Sequence, residues 1–240
     1  FLGGPPIKLF SYPVGIKEGL RAMFERRPIW QIMTSISPEV KNFTPRINPD
    51  YVARAFIHDG TVPPERSKRT GGGPDMFGIE WEFIPAVGGS MVRPGPPFIS
   101  DANEIADKIV WPDIDSWDWA GCKAANQEYL SGPTAICTQF MNGYLERLIS
   151  FMEFEGAIVA ICDEDQQPAI QDFFDKLTDL YIRIVDRMLL EFPQIDMFVL
   201  HDYWGSQMNT FFSPAVCREM IVPYMRRFTD HIHAKGRFIE

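Results

Sequence analysis

The stretch Ile195-Asp196-Met197-Phe198-Val199-Leu200 runs directly into His201-Asp202-Tyr203-Trp204-Gly205-Ser206-Gln207, and a helical segment and a second apolar run follow before Glu240. An apolar strand that opens into polar and aromatic side chains, then a helix and another strand, is how a parallel α/β protein places a site at the carboxyl ends of its strands. The helix expected over 214–235 has Ser213 as N-cap, Pro214 at its first position and Gly236 as its stop, and Pro223 should kink it about one turn in. The last run, Gly236-Arg237-Phe238-Ile239-Glu240, reads as a strand that is cut off. Together with a start at Phe1 in place of Met, this makes the sequence read as part of a longer protein whose site continues past Glu240.

Upstream, the helix expected over 169–191 carries Ile170, Phe173, Phe174, Leu177, Tyr181, Ile184 and Met188 as one apolar stripe, with Pro168 at its start and Pro193 beyond its end. It is a packing helix. Thr134-Ala135-Ile136-Cys137-Thr138-Gln139-Phe140 reads as a buried strand that leads through Met141-Asn142-Gly143-Tyr144 into a helix ending near Phe154. Residues 1–60 read as a helical extension, with helices over 16–26 and 49–58; Asn48 caps the second, and Val52, Ala55 and Phe56 face inward. From Thr61 to Asp101, Gly and Pro punctuate short apolar runs. Phe77 to Ile84 alternates as a strand, and Gly71-Gly72-Gly73-Pro74 and Gly88-Gly89 read as loops. The triple glycine fits neither a dinucleotide fingerprint nor a P-loop. Asp101 to Asp107 reads as a short helix, and the tryptophans at 111, 117 and 119 as a clamp holding a long connection onto the body of the protein, with a ligand platform as the alternative.

Alternating strands and helices predict parallel strands joined by crossovers. A closed eight-stranded barrel needs roughly 250 residues, so residues 61–240 amount to about half a barrel behind the extension of 1–60.

Composition narrows the function. The 240 residues are 45% hydrophobic and 13% aromatic, enough for a sizeable core, and the net charge of -9 argues against nucleic acid or an anionic membrane as partner. The run Glu65-Arg66-Ser67-Lys68-Arg69 reads as a solvated loop. Four cysteines without a C-x-x-C pair suit reduced thiols in a cytoplasmic protein, and there is neither a signal peptide pattern nor an apolar run of membrane length.

Asp202 stands where strand becomes loop. A carboxylate there can bind a substrate hydroxyl, orient a metal ligand or act as general acid or base; it can equally be a loop carboxylate accepting backbone N–H bonds. His201 points to the opposite face by the alternation of strand side chains, so one of the two lines the site, and a hydrogen-bonded packing histidine is as good a reading of it as a catalytic one. Tyr203 and Gln207 could hydrogen-bond a ligand on which Trp204 stacks, and Phe140, Asn142 and Glu146 offer a second wall. His231 and His233, two apart on a helix, cannot share one metal ion. Glu240 could supply one metal ligand.

The residues Phe198-Val199-Leu200-His201-Asp202-Tyr203-Trp204-Gly205, Phe212-Ser213-Pro214 and Ile221-Val222-Pro223-Tyr224 resemble the uroporphyrinogen decarboxylase superfamily, with its Asp-x-Trp-x-Gly strand end, Ser-Pro and Pro-Tyr helix. Asp75-Met76-Phe77-Gly78-Ile79-Glu80-Trp81, Arg93-Pro94-Gly95 and Phe238-Ile239-Glu240 look more like its corrinoid-dependent methyltransferase branch, which includes the O-demethylase methyltransferases. The similarity runs from about residue 45. A decarboxylase's arginine-rich N-terminal motif and its Phe-Ser-Asp strand end are missing.

The resemblance implies a TIM (β/α)8 barrel, here partial, acting as a zinc-dependent substrate:corrinoid protein methyltransferase. A methyl group would pass from a methoxylated aromatic or other methylated substrate to the cobalt of a corrinoid on a partner protein. Asp202 would be the acid/base or orienting residue, and Tyr203, Trp204, Gln207, Phe140, Asn142, Glu80 and Trp81 would line the pocket. Glu240 would be a zinc ligand, with a His-x-Cys-Gly motif for the rest expected two residues beyond it. The alternatives are a decarboxylase with a basic pocket and a non-catalytic binding protein that has kept the barrel.

Overall fold

A computed structural model describes residues 11–30, 32–62, 71–86 and 88–240. The first helix, α1 (Ile16–Phe24), leads to a short strand, β1 (Val40–Asn42), and then to α2 (Pro49–Ala53). The Asn48 side chain caps α2 by accepting from the Asp50 N–H at 3.0 Å. This helix is shorter than its sequence suggests. Ala55 turns into the left-handed region (φ 56°), which ends the helix, buries Tyr51 and Ala53, and leaves Val52, Ala55 and Phe56 only half-buried.

Three antiparallel strands follow: β2 (Gly72–Pro74), β3 (Glu80–Ile84) and β4 (Gly89–Val92), in the order β2-β3-β4. The glycines expected to form loops are therefore partly strand. Gly72 (φ 117°) pairs with Glu82 where a Cβ would come within 2.9 Å of the Trp81 carbonyl, a close approach open only to glycine. The expected strand over 77–84 begins at Glu80, because the Asp75 side chain accepts the N–H groups of Phe77 and Ile79 and folds 75–79 into a turn. The run Glu65 to Arg69 lies outside the described residues.

Short helices α3 (Ile105–Lys108) and α4 (Trp119–Ala125) bracket the tryptophan-rich connection. Trp119 is buried, stacks beside Trp117 and donates its indole N–H to the Ile114 carbonyl at 2.8 Å, which is what the clamp reading expects.

The main sheet is built from β1, β5 (Ala135–Phe140), β6 (Ile195–Leu200) and β7 (Phe238–Ile239), in that order and all parallel. The chain is thus a mixed α/β protein. β1, drawn from the stretch read as a helical extension, is one edge of this sheet. Between β5 and β6 the register slips at Asp196, whose carboxylate takes the Ile136 N–H at 2.8 Å.

One sheet face, with Ile136, Phe140 and Phe198, packs on α5 (Tyr144–Cys162), α6 (Gln167–Glu191) and α8 (Val222–Ala234). The other, with Val40, Ala135, Cys137 and Met197, packs on Ile16, Leu20 and Met33 around α1. All seven residues of the α6 stripe are buried. α5 runs past the expected end near Phe154, with a break at Glu153 (φ 60°, ψ 173°).

Pro223 produces a full break in the expected helix. α7 (Pro214–Met220) and α8 are separated at Ile221, because Pro223, sitting in the first turn of α8, has no N–H to continue the ladder. Ser213 does cap α7, accepting from Val216 N–H at 3.2 Å. Ser213→Ala is expected to lower stability by about 1 kcal/mol, read as a shift in the urea midpoint with an unchanged m-value. Cys122, Cys137, Cys162 and Cys217 are free. Among the described residues no helix is long and apolar enough to cross a membrane.

Candidate functional site

Because its four strands are parallel, the main sheet gathers their carboxyl ends along one edge. There β5 runs through Met141–Gly143 into α5, and β6 opens into 201–204. Asp202 sits at the start of α5. Its Oδ2 accepts from the N–H of Tyr144 (3.1 Å), the N–H of Leu145 (3.2 Å) and the Trp204 indole (2.8 Å). Its Oδ1 accepts from the N–H of Glu146 (2.9 Å) and of Tyr203 (3.1 Å). It therefore does what an N-cap side chain does, but from another strand. Gly143 makes this possible: a Cβ there would lie 2.5 Å from the Asp202 Cβ.

Burial pushes the Asp202 carboxyl up from the ordinary carboxylate range, and the donors from Glu146, Trp204 and Leu145 pull it back. An ionised carboxylate has about four lone-pair sites, and five donors occupy them. The arrangement is the one that the loop-carboxylate reading of Asp202 expects. What it supports is orientation, since Asp202 fixes the Trp204 indole and the first turn of α5.

His201 takes the opposite side of the strand, as alternation requires, and is exposed at the mouth. Its Nδ1 lies 2.8 Å from Glu146 Oε2. The hydrogen bond to Glu146 raises the imidazole pKa above its ordinary 6.5, against partial burial and the nearby Arg54. The opposite Glu146 oxygen lies 3.7 Å from Arg54 Nη2. Arg54 also donates through Nη1 to Asn142 Oδ1 at 2.8 Å and lies over the Trp81 ring at 4.9 Å. Trp81 is buried, with its indole N–H donated to Asp75. The fold thus joins Trp81, Arg54, Asn142, Glu146 and His201 in one run of contacts ending at an exposed imidazole.

A histidine whose folded pKa is raised adds stability that is fully present below its unfolded pKa and is lost as pH rises through the folded value. Glu146→Gln removes the cause. The expected result is a lower His201 pKa, read from its imidazole proton shifts over a pH titration, and an unchanged pKa would show that Glu146 is not the source.

The remaining expected residues divide. Tyr203 is exposed, edge-on to Phe211. Gln207 is exposed on a loop that the Gly205–Thr210 bridge closes. Phe140 is not at the mouth: its ring is buried among Tyr181, Phe198 and Phe228 on the helix side of the sheet. Glu80 points from β3 to the side opposite Trp81 and pairs with Arg93 at 3.6 Å. Glu240 Oε2 accepts the Ser35 N–H at 3.0 Å.

Arg54 is the member of this cluster that periodicity does not reveal. A helix running to 58 with Val52, Ala55 and Phe56 inward sends it to solvent, whereas the left-handed Ala55 ends the helix and brings Arg54 to Asn142. His231 pairs with Asp186 at 2.8 Å, and His233 is exposed.

Among the described residues no group of three or more His, Cys, Asp or Glu side chains could hold a metal ion. Cys137 is pushed up to about 12 by burial and then by the Glu240 charge. The described residues do not by themselves fit a zinc ion.

Comparison with protein-family models, with curated proteins and with solved structures finds no match. The fold and the site define the class: an α/β protein with a polar, titratable cluster at the carboxyl edge of a parallel sheet.

Proposed function

We propose that this chain is the substrate-binding part of a TIM-barrel methyltransferase of the uroporphyrinogen decarboxylase type, acting in the cytoplasm. It would take a methyl group from a methoxylated aromatic or other methylated substrate and pass it to the reduced cobalt of a corrinoid on a partner protein. The observation that carries the reading is the His201–Glu146 pair, a solvent-facing imidazole whose pKa is raised by the carboxylate it touches at the carboxyl ends of the strands.

Breaking a methyl–oxygen bond sends the electron pair to oxygen, and an alkoxide or phenolate is a poor leaving group until that charge is met. His201 meets it by donating its Nε2 proton to the departing oxygen, while Glu146 keeps the ring oriented through Nδ1. Trp204, held by Asp202, and Tyr203 give the substrate ring aromatic surface. Zinc, which the resemblance implies, would supply the same charge stabilisation as a Lewis acid. Glu240 would be one of its ligands, and no step here depends on it.

The test is methyl transfer from methoxylated aromatics to a reduced corrinoid protein, together with the metal content of protein purified without chelator. Transfer that requires His201 supports the reading. Absence of transfer from every methylated substrate removes it and leaves a decarboxylase or a binding protein.

A further inference from the structure

Glu146 divides its two oxygens between two basic side chains. Oε2 lies 2.8 Å from His201 Nδ1, within hydrogen-bond reach, and Oε1 lies 3.7 Å from Arg54 Nη2, outside it. Arg54 therefore acts on Glu146 through its charge, while His201 holds the hydrogen bond. The Arg54 and Glu146 side chains are only 16% and 14% exposed, so water and salt screen that charge less than they would at the surface.

An unhindered arginine–carboxylate pair closes to about 2.7–2.9 Å. Here the guanidinium is kept back by what else it touches. Nη1 donates to Asn142 Oδ1 at 2.8 Å, and the group lies over the Trp81 ring at 4.9 Å. Both anchors are buried and fixed in turn: the Asn142 carbonyl accepts from the Tyr181 hydroxyl at 2.5 Å, and the Trp81 indole donates to Asp75 at 3.1 Å.

The charged groups acting on the His201 ring are Glu146 from α5, Arg54 from the end of α2 and Asp202 beside it in the chain. The two carboxylates favour the protonated ring. Among the described residues, Arg54 is the charge that opposes it.

We propose that Arg54 is a positioning residue for His201: held back by Asn142 and Trp81, it draws on Glu146 through space and limits how firmly that carboxylate keeps the proton on the imidazole. The proposal rests on the general-acid reading of His201 and deepens it. An acid must also release its proton, and it works best when its proton affinity is matched to the working pH. Glu146 alone would bind the imidazolium too firmly, and Arg54 weakens that hold without taking the hydrogen bond away. A merely structural role for Arg54 predicts the opposite sign. If Arg54 only kept Glu146 in place, its loss would let the carboxylate leave Nδ1, and the His201 pKa would fall as in Glu146→Gln. If Arg54 acts through its charge, its loss removes the opposing cation and the pKa rises.

The experiment follows the His201 imidazole proton shifts over a pH titration in the wild type, Arg54→Gln, Arg54→Lys and Asn142→Leu. Arg54→Gln is expected to move the midpoint to higher pH, and Arg54→Lys, which keeps the charge, to leave it nearer the wild type. Asn142→Leu removes the anchor and lets the guanidinium close on Glu146, so its midpoint is expected to move to lower pH. A midpoint that falls or stays put in Arg54→Gln overturns the proposal. Where Arg54→Gln does not fold, a midpoint that rises or stays put in Asn142→Leu overturns it equally. In methyl transfer to the reduced corrinoid protein, the pH at which the rate falls is expected to follow the midpoint of each variant. Midpoints that move as expected while the rate profile stays fixed remove the general-acid reading and leave the charge effect of Arg54 on the pair.

Discussion

Arg147→Met is expected to cost about 3–5 kcal/mol of folding stability, the usual consequence of removing one partner from a buried ion pair. Arg147 is fully buried. It donates to Asp75 Oδ2 at 2.8 Å and pairs with Asp50. Asp50 also accepts the Met76 N–H, and Asp75 accepts from Phe77, Ile79 and the Trp81 indole. Three separate pieces of chain, α2, the turn before β3 and α5, are held together at this point, so the substitution strands two buried carboxylates.

Burial already raises the Asp75 pKa, and Arg147 is the largest influence lowering it. Without Arg147 it rises further. A carboxyl whose folded pKa lies above its unfolded value binds its proton more tightly when folded, so stability falls as pH rises above the unfolded value near 3.9. Urea unfolding should therefore show a larger loss at pH 8 than at pH 5. Adding Asp50→Asn and Asp75→Asn to Arg147→Met should recover much of the loss, because the stranded charges go with it. A loss below about 1 kcal/mol in the single variant, the range of an ordinary surface change, would mean that the network contributes little.

The parts of the fold that were legible are those in which one local rule decides. In α6, helical periodicity and the flanking prolines agree, and every stripe residue is buried where expected. β6 and the Ser213 cap are equally local. The glycine-rich segment is less so, since Gly72 looks like a loop until a partner strand presents a carbonyl that only glycine can approach.

The site was legible in place but not in role. Alternation puts His201 and Asp202 on opposite sides, yet it cannot say which side is the mouth. That choice depends on Gly143, 59 positions before Asp202 in the sequence, which lets the aspartate in to cap α5 and leaves the histidine outside. Arg54 is hidden for a related reason. Its position follows from a single left-handed residue, Ala55, that no propensity announces.

His201→Ala is expected to lower kcat for methyl transfer by about 10^2- to 10^4-fold, the range of general acid catalysis, with little change in KM. The split follows from what the residue touches. His201 is the exposed end of the run of contacts and touches Glu146, not Arg54, Asn142 or Trp81, so in the proposed mechanism removing it leaves substrate binding in place and takes away the proton that the leaving oxygen needs.

The pH dependence gives the sharper test. In the proposed mechanism the protonated imidazole is the active form, so wild-type activity should hold at low pH and fall as pH rises through the His201 pKa. Glu146 places that pKa above 6.5. In Glu146→Gln the falling limb should move to lower pH, and in His201→Ala it should vanish. Asp202→Asn should behave differently, because it loosens Trp204 and the start of α5 and leaves the His201–Glu146 hydrogen bond in place. Its rate should drop while the pH at which activity falls moves down less than in Glu146→Gln, since the Asp202 charge is the last of the influences that raise the His201 pKa and Glu146 the first. A profile in which His201→Ala keeps both the wild-type rate and the limb would assign the acid to another group and leave the His201–Glu146 pair as packing.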